Sequence, residues 1–229
     1  MTLFRLEGLS GGQGGVPFVR DVDLEVRPGE LVGLVGRNGM GKSTTLRTAF
    51  GLATRFAGTV TIADTVVPPR RPELAARLGA SFMPEDRGVF PTLTVAENLE
   101  LARRRGHRPV VDPREVFPLL TERARQPAGT LSGGQQQLLG FSRAVLAGSR
   151  LIAVDELTQG LQPSVVTDVL DVAARLAASG TGLLLVDQSP QVLTRWCHRL
   201  IVMEGGRLIL DEAVTDDTAA RVSDLLVLR

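Results

Sequence analysis

Short runs of almost uninterrupted apolar residues, separated by glycine-rich turns, set the pattern of this chain. Leu31 to Val35, Leu151 to Val154 and Leu183 to Val186 carry no polar position, which predicts strands buried on both faces. Thr2 to Leu6 and Val22 to Val26 alternate instead, as half-buried strands do, with a Pro28-Gly29 turn before the first apolar run. Thr59 to Ile62 and Ala80 to Met83 read as further short strands, and Leu200 to Met203 pairs with Arg207 to Leu210 across Gly205-Gly206. Helical stretches alternate with these runs: Lys42 to Leu52, Gly134 to Leu146, and Ser164 to Ala178, where Val165, Val169, Val172 and Leu176 recur on one face. Residues 93–125 look helical but are broken by Pro109 and Pro113. Strands alternating with helices imply an α/β fold with a mainly parallel sheet. Antiparallel strands precede it, and a small helical subdomain is inserted between about residues 86 and 148 of a single domain spanning 1–229.

Composition narrows this picture by exclusion. Hydrophobic residues make up 43% of the chain, ample for a core, and the formal net charge of +1 with mixed signs leaves no footprint for nucleic acid. The densest basic cluster, Arg103-Arg104-Arg105 with Arg108, reads as a solvated helix end. A single cysteine, Cys197, rules out an intramolecular disulfide and reads as helix packing. No apolar run approaches the roughly 20 residues that span a bilayer, and the N-terminus lacks a signal-peptide core. The chain is therefore expected to be soluble, and any transport would need a separate membrane subunit.

The candidate chemistry begins where the first apolar run ends. Gly36-Arg37-Asn38-Gly39-Met40-Gly41-Lys42-Ser43 fits the phosphate-loop pattern G-x-x-x-x-G-K-[ST] between a strand and a helix. Gly36, Gly39 and Gly41 let the backbone turn its N–H groups inward around a phosphate, with Asn38 and Thr44 beside them, and the helix N-terminus adds partial positive charge. Lys42 would reach the outer phosphates and act in catalysis, and the Ser43 hydroxyl would help to hold Mg²⁺. Asp155 closes another apolar strand, where a buried carboxylate needs a partner; Mg²⁺ on the phosphates would supply one. Glu156, next in the chain, is the candidate to polarise the attacking water.

A second motif, Leu131-Ser132-Gly133-Gly134-Gln135, precedes a helical run and then the Asp155-Glu156 pair. With the phosphate loop, this arrangement resembles the ATP-binding cassette (ABC) proteins from about Leu3 to Leu210. Pro84-Glu85, Val89-Phe90-Pro91, Leu93-Thr94-Val95-Ala96-Glu97-Asn98-Leu99 and Gln126-Pro127-Ala128-Gly129-Thr130 narrow the likeness to cassettes of branched-chain amino acid importers and their urea and amide relatives.

The resemblance implies a phosphate-loop NTPase of ABC type that binds ATP and Mg²⁺. Ser132, Gly133, Gly134 and Gln135 would face the phosphate loop of a second cassette, in a homodimer or heterodimer. It also implies integral membrane permease subunits, indirect service of an extracytoplasmic solute-binding protein, and a place on the cytoplasmic face of the membrane.

Several positions depart from the general cassette pattern. Glu85 stands where many cassettes carry a glutamine, and counts as a metal candidate; Gln188 replaces the usual switch histidine. Leu157 replaces a proline and Gln162 an aspartate, which together suggest slow hydrolysis by the isolated subunit. Gln13 occupies the position of the aromatic residue on which adenine usually stacks, and there is no tyrosine in the chain. Phe18 reads equally as a replacement base contact or as core. Two other readings stand beside the importer. One is a degenerate regulatory cassette, weakened by intact Lys42, Asp155 and Glu156. The other is a non-transport ABC ATPase acting on nucleic acid or ribosomes, which lacks support because there is neither a second cassette nor a sustained heptad.

Overall fold

The computed structural model describes residues 2–148 and 150–227. A long hairpin, β1 (Phe4–Gln13) and β2 (Val16–Val26), leads into β3 (Leu31–Val35) and helix α1 (Lys42–Ala49). There follow β4 (Thr54–Ile62), β5 (Thr65–Val66), α2 (Pro72–Arg77) and β6 (Ala80–Met83). Then come α3 (Val95–Ala102), α4 (Pro113–Val116), α5 (Leu119–Glu122) and the long α6 (Gly133–Ala147). The remainder is β7 (Leu151–Asp155), α7 (Pro163–Ala178), β8 (Gly182–Asp187), α8 (Pro190–Leu193), β9 (Arg199–Glu204), β10 (Arg207–Ala213) and α9 (Thr218–Val227).

Two sheets form. One is antiparallel, in the order β2-β1-β4-β5; the other runs β10-β9-β3-β8-β7-β6 and is parallel except at β10. The three apolar runs become the central neighbours β3, β8 and β7, fully buried as continuous apolar strands require. Their alternation divides the core in two. Leu31, Val35, Ile152, Val154, Leu183 and Leu185 pack on the face with α6 and α7. Val32, Leu34, Leu151, Ala153, Leu184 and Val186 pack on the face with α1 and the antiparallel sheet. A slip of one residue in any of these strands would exchange its two sets of side chains.

The expected α/β class is the one observed, with corrections in detail. The helix after the phosphate loop stops at Ala49 rather than Leu52, and the strand expected at Thr59 begins at Thr54. Residues 93–125 form three short helices; the expected break falls between Ala102 and Pro113, and Pro113 opens α4 rather than ending a helix. Cys197 lies outside any helix, in the turn before β9; burial pushes its thiol up to about 12, and its Sγ lies near Gly33 of β3. Arg104 is not merely solvated: its guanidinium donates to the carbonyls of Ala76 and Arg77, the last turn of α2.

The segment from Phe90 to Leu99 shows why its residues are what they are. Thr94 caps α3 by accepting the Glu97 N–H, and the Glu97 carboxylate accepts the Thr94 N–H at 2.8 Å. Asn98 is fully buried, and its amide is used at both ends. Oδ1 accepts from the Phe90 N–H at 2.9 Å and Arg143 at 2.8 Å; Nδ2 donates to the carbonyls of Phe90 at 2.9 Å and Thr94 at 3.0 Å. Arg143 in turn stacks on the Phe90 ring, 4.6 Å from its centre. Asn98→Ala should therefore destabilise the protein by about 2–4 kcal/mol, because it strands buried backbone groups as well as removing bonds. Urea unfolding measures this; a loss below about 0.5 kcal/mol would mean that water replaces the amide.

Candidate nucleotide site

β3, β8 and β7 end at one edge of the sheet, and each hands on to a loop with polar side chains. After β3 the phosphate loop climbs to α1, passing through Gly41 at φ 106°, a backbone conformation that L side chains rarely adopt. Lys42 is buried and folds back on this loop: Nζ donates to the Gly36 carbonyl at 2.6 Å and the Arg37 carbonyl at 3.0 Å. Burial lowers its pKa, opposed by the carboxylates of Glu156, Asp155, Asp187 and Glu85. One ammonium thus faces four acids.

At the end of β7, Asp155 is 1% exposed and its Oδ1 has no hydrogen-bond partner. Burial raises its pKa to about 6, the neighbouring Glu85 and Glu156 add to this, and Ser43 and Lys42 only partly offset it. Glu156 follows at φ 53°, left-handed for a non-glycine residue and costing on the order of 1–3 kcal/mol. Two glutamines hold it there. Gln137 of α6 donates to its carbonyl at 2.5 Å and to that of Leu157 at 3.1 Å, while Gln188 Nε2 donates to Glu156 Oε1 at 3.0 Å. Leu157 is buried and its N–H donates to the Val186 carbonyl at 3.3 Å, a bond that proline could not make. Asp187, buried at the end of β8, accepts from the N–H and hydroxyl of Thr158 and from the N–H groups of Gln188 and Ser189.

These loops enclose a pocket of about 520 Å³. Asn38, Gly39, Gly41, Lys42, Ser43 and Thr44 form its phosphate-loop wall, facing Glu85, Glu156 and Gln188, with Gln13 and Phe18 at the hairpin end. Gly36 and Asp155 lie beneath rather than on the lining. Gln13 is the last residue of β1 and Gly14-Gly15 the hairpin turn. Phe18 is 55% exposed and belongs to the pocket, not to the core. Met40, Arg47 and Gln159 also line the pocket without having been expected there. The supports Gln137 and Asp187 were likewise missed; the one legible signal was that Asp187, like Asp155, ends an apolar run.

Ser132, Gly133, Gly134 and Gln135 do not reach this pocket. They begin α6 in a capping box: Gln135 Oε1 accepts the Ser132 N–H at 3.0 Å, and the Ser132 hydroxyl accepts the Gln135 N–H at 3.3 Å, keeping its own proton to donate. A Cβ on Gly134 would lie 2.4 Å from the Gly160 carbonyl oxygen, so only glycine lets the helix start pack on the loop after β7.

The profile of the family described as ABC transporter matches residues 19–159. The chain belongs to that family. The branched-chain amino acid transport ATP-binding protein BraG of Pseudomonas aeruginosa is 33% identical over 204 residues, covering 87% of this chain and 88% of BraG. The Nod factor export ATP-binding protein I of Cupriavidus pinatubonensis is 35% identical over 204 residues, 86% of this chain and 62% of that protein. A solved structure described as the ATP-binding subunit of an ABC transporter superposes with a TM-score of 0.81 at 27% identity, over 98% of this chain and 94% of its own.

The cassette is thus the ATP-binding, ATP-hydrolysing subunit of an ABC transporter, and its metal-free state has a pH signature. The Asp155 carboxyl ordinarily ionises near 3.8 but is held protonated up to about 6 in the folded chain. A raised carboxylate pKa means a cost absent below the lower value and fully present above the higher, so this group's effect on stability worsens as pH rises through that window. Asp155→Asn removes the charge. With chelator and no nucleotide, the variant should exceed the parent in stability at neutral pH by on the order of 3 kcal/mol, the gap closing towards about pH 4. Denaturant titrations across pH check this; a parent as stable as the variant at neutral pH would place Asp155 in a partnered environment.

Proposed function

We propose that this cassette is the energy-coupling ATPase of an importer for branched-chain amino acids or a related small polar nitrogen compound such as urea or amides. The observation that carries the solute class is the match to BraG along nearly the full length of both chains. The geometry supports the rest. Lys42, already pointing at its own loop carbonyls, would exchange them for the outer phosphates, and the N–H groups of Gly39, Gly41, Ser43 and Thr44 would surround the inner ones. The orphaned Oδ1 of Asp155, with Ser43 beside it and Glu85 on the opposite wall, fits Mg²⁺. Among the described residues no three acids, histidines or cysteines converge as a ready cage, which suits an ion that keeps phosphate oxygens and waters as ligands. Bound there, Mg²⁺ supplies charge compensation for the outer phosphates. Glu156 then polarises the attacking water, with Gln188 holding the carboxylate by one oxygen. Glutamine does not titrate near neutrality as histidine would, so Gln188 positions Glu156 and carries no proton.

Because the Ser132–Gln135 segment lies off the pocket, each chain would hold half of two sites, and a second cassette, identical or related, would complete them. A groove of about 430 Å³ between β6 and α6, lined by Leu52, Phe82, Pro84, Arg87, Leu101 and Arg143, offers a seat for a segment of a membrane permease. Among the described residues no helix is long and apolar enough to cross a membrane, so the cassette would sit on the inner face through such permeases, served indirectly by a solute-binding protein.

Two experiments test this reading. Glu156→Gln should keep ATP binding, lower turnover at least a hundredfold and form an ATP-dependent dimer on size-exclusion chromatography. A variant that stays monomeric at high protein and nucleotide concentration would sink the two-cassette site. Proteoliposomes with the cognate permeases and binding protein should accumulate labelled leucine or urea at the expense of ATP; solute extrusion, or uptake of a sugar alone, would replace the importer reading.

A further inference from the structure

The arginines that follow α3 take no part in the nucleotide site, yet the fold assembles more of them than the sequence run contains. Arg104 holds the run against α2: its Nη2 donates to the Arg77 carbonyl at 2.7 Å, and its backbone N–H donates to the Leu146 carbonyl of α6 at 3.3 Å. The chain then turns back, with the His107 N–H on the Arg104 carbonyl at 3.2 Å, and Arg105 and Arg108 stand exposed on that turn. Arg150, just before β7, joins from the other side, because its N–H donates at 3.0 Å to the carbonyl of Gly79, two residues past Arg77. Arg77, Arg104, Arg105, Arg108 and Arg150 thus meet where α2 ends, α3 turns and β7 begins. Among the described residues none of the five forms an ion pair. Glu73 feels the charge of Arg77 but bonds to Arg71, while Glu100 and Asp112 pair with Arg103. Burial and the charge of Arg104 lower the pKa of His107. In a chain whose formal net charge is only +1, this is a local excess of like charge that no acid offsets. Two aliphatic side chains flank the turn: Leu101 and Val110 are 61% and 62% exposed. Leu101 also lines the groove between β6 and α6, together with Ala76, the neighbour of Arg77, so the cationic patch and the groove share an edge.

We propose that this patch rests on an anionic lipid surface, with the arginine heads among headgroup phosphates and Leu101 and Val110 at the headgroup boundary. The inference rests on the reading that the groove seats a permease segment, which turns this face of the cassette towards the membrane. Guanidinium groups match phosphate oxygens in pairs, and each arginine near an anionic leaflet strengthens binding on the order of fivefold. Exposed aliphatic side chains among basic ones add apolar burial, the combination that holds basic amphipathic segments at a bilayer surface. Nucleic acid would use the charges alone. Residues 101–111 contain no Phe, Trp or Tyr on which bases could stack, and the two aliphatic side chains favour lipid.

Flotation of the purified chain with lipid vesicles tests it. At low salt, vesicles of phosphatidylcholine with about a third phosphatidylglycerol should carry at least about tenfold more protein than pure phosphatidylcholine vesicles. The difference should vanish at about 0.5 M salt, where screening acts within a few ångströms. Arg105→Glu with Arg108→Glu, two side chains that make no bond among the described residues, should lower the partition at least about tenfold. Leu101→Ser with Val110→Ser should lower it about threefold. Arg175→Glu with Arg195→Glu makes the same charge change on α7 and in the turn after α8, and should leave binding within about twofold. Unchanged melting temperature and ATP turnover in all three pairs sets folding aside. Equal flotation with both kinds of vesicle, or equal loss in the two arginine pairs, overturns the proposal. So does binding to phosphatidylcholine proteoliposomes that needs Arg105, Arg108 and the permeases, which would make an acidic permease segment the occupant. A cassette that ignores anionic lipid yet drives uptake through its permeases would overturn this inference and leave the importer reading standing.

Discussion

The shared register of three parallel strands is the constraint on which the nucleotide site depends, because it decides where three loops begin. Val35 of β3 lies opposite Asp187 of β8, and Val186 of β8 opposite Asp155 of β7. Parallel strands in register finish together, so the phosphate loop, the Asp155-Glu156 pair and the Asp187-Gln188 pair all leave the sheet at one level. That register is set by burial on both faces: the side chains of each strand divide between two cores, and no offset of one residue preserves both. The apolar composition of the strands is thus not only a source of stability. It places the chemistry.

The same edge concentrates groups that are poorly satisfied in the empty state. Asp155 is buried with a free oxygen, Gln137 Oε1 is buried without a partner, and Glu156 sits in a left-handed backbone conformation. Lys42 offers the only ammonium among four carboxylates, and spends it on carbonyls of its own loop. Such features cost stability and survive because the sheet and α6 over-determine the backbone around them. Asp187 marks the contrast. It is equally buried, yet both its oxygens are occupied by N–H and hydroxyl donors from two loops, so it is a structural tie where Asp155 is an open position.

What could be read from the chain, and what could not, follows from how local each signal is. The apolar strands, the phosphate loop and the start of α6 are encoded in adjacent residues, and the structure places them as expected. The hairpin was foreseen only in part, because Gly8, Gly11 and Gly12 interrupt the alternation of β1 and its pairing shifts register at those points. Residues 93–125 look helical by composition, but proline and the Arg104–Gly106 turn leave only short pieces. Helices α2, α8 and α9 carry too few periodic positions to announce themselves; α9 owes its place to Val222 in the core and to Ser223, which accepts from Gln191 at 2.8 Å. Phe18 lies exposed beside the register shift between Gly11 and Gly12, a cross-strand fact that periodicity cannot express.

Helix α6 joins this edge to the rest of the molecule. At its start Ser132 and Gln135 cap one another, and Gln136 accepts from Arg87 of the loop after β6 at 3.1 Å. One residue on, Gln137 holds the carbonyls of Glu156 and Leu157. Near its end, the Ser81 hydroxyl of β6 donates to the Ala144 carbonyl at 2.8 Å. This helix of 15 residues is bonded at these points both to the sheet and to the backbone of Glu156, which itself lies in a left-handed conformation. The Gly133-Gly134 end and the backbone that carries Glu156 are thus tied to one and the same helix. Arg87 extends the same connection to the groove under α3, where Arg143 and Asn98 fix the Phe90 turn. The path from that groove to Glu156 passes only through bonded and packed side chains, with α6 as its stiff member.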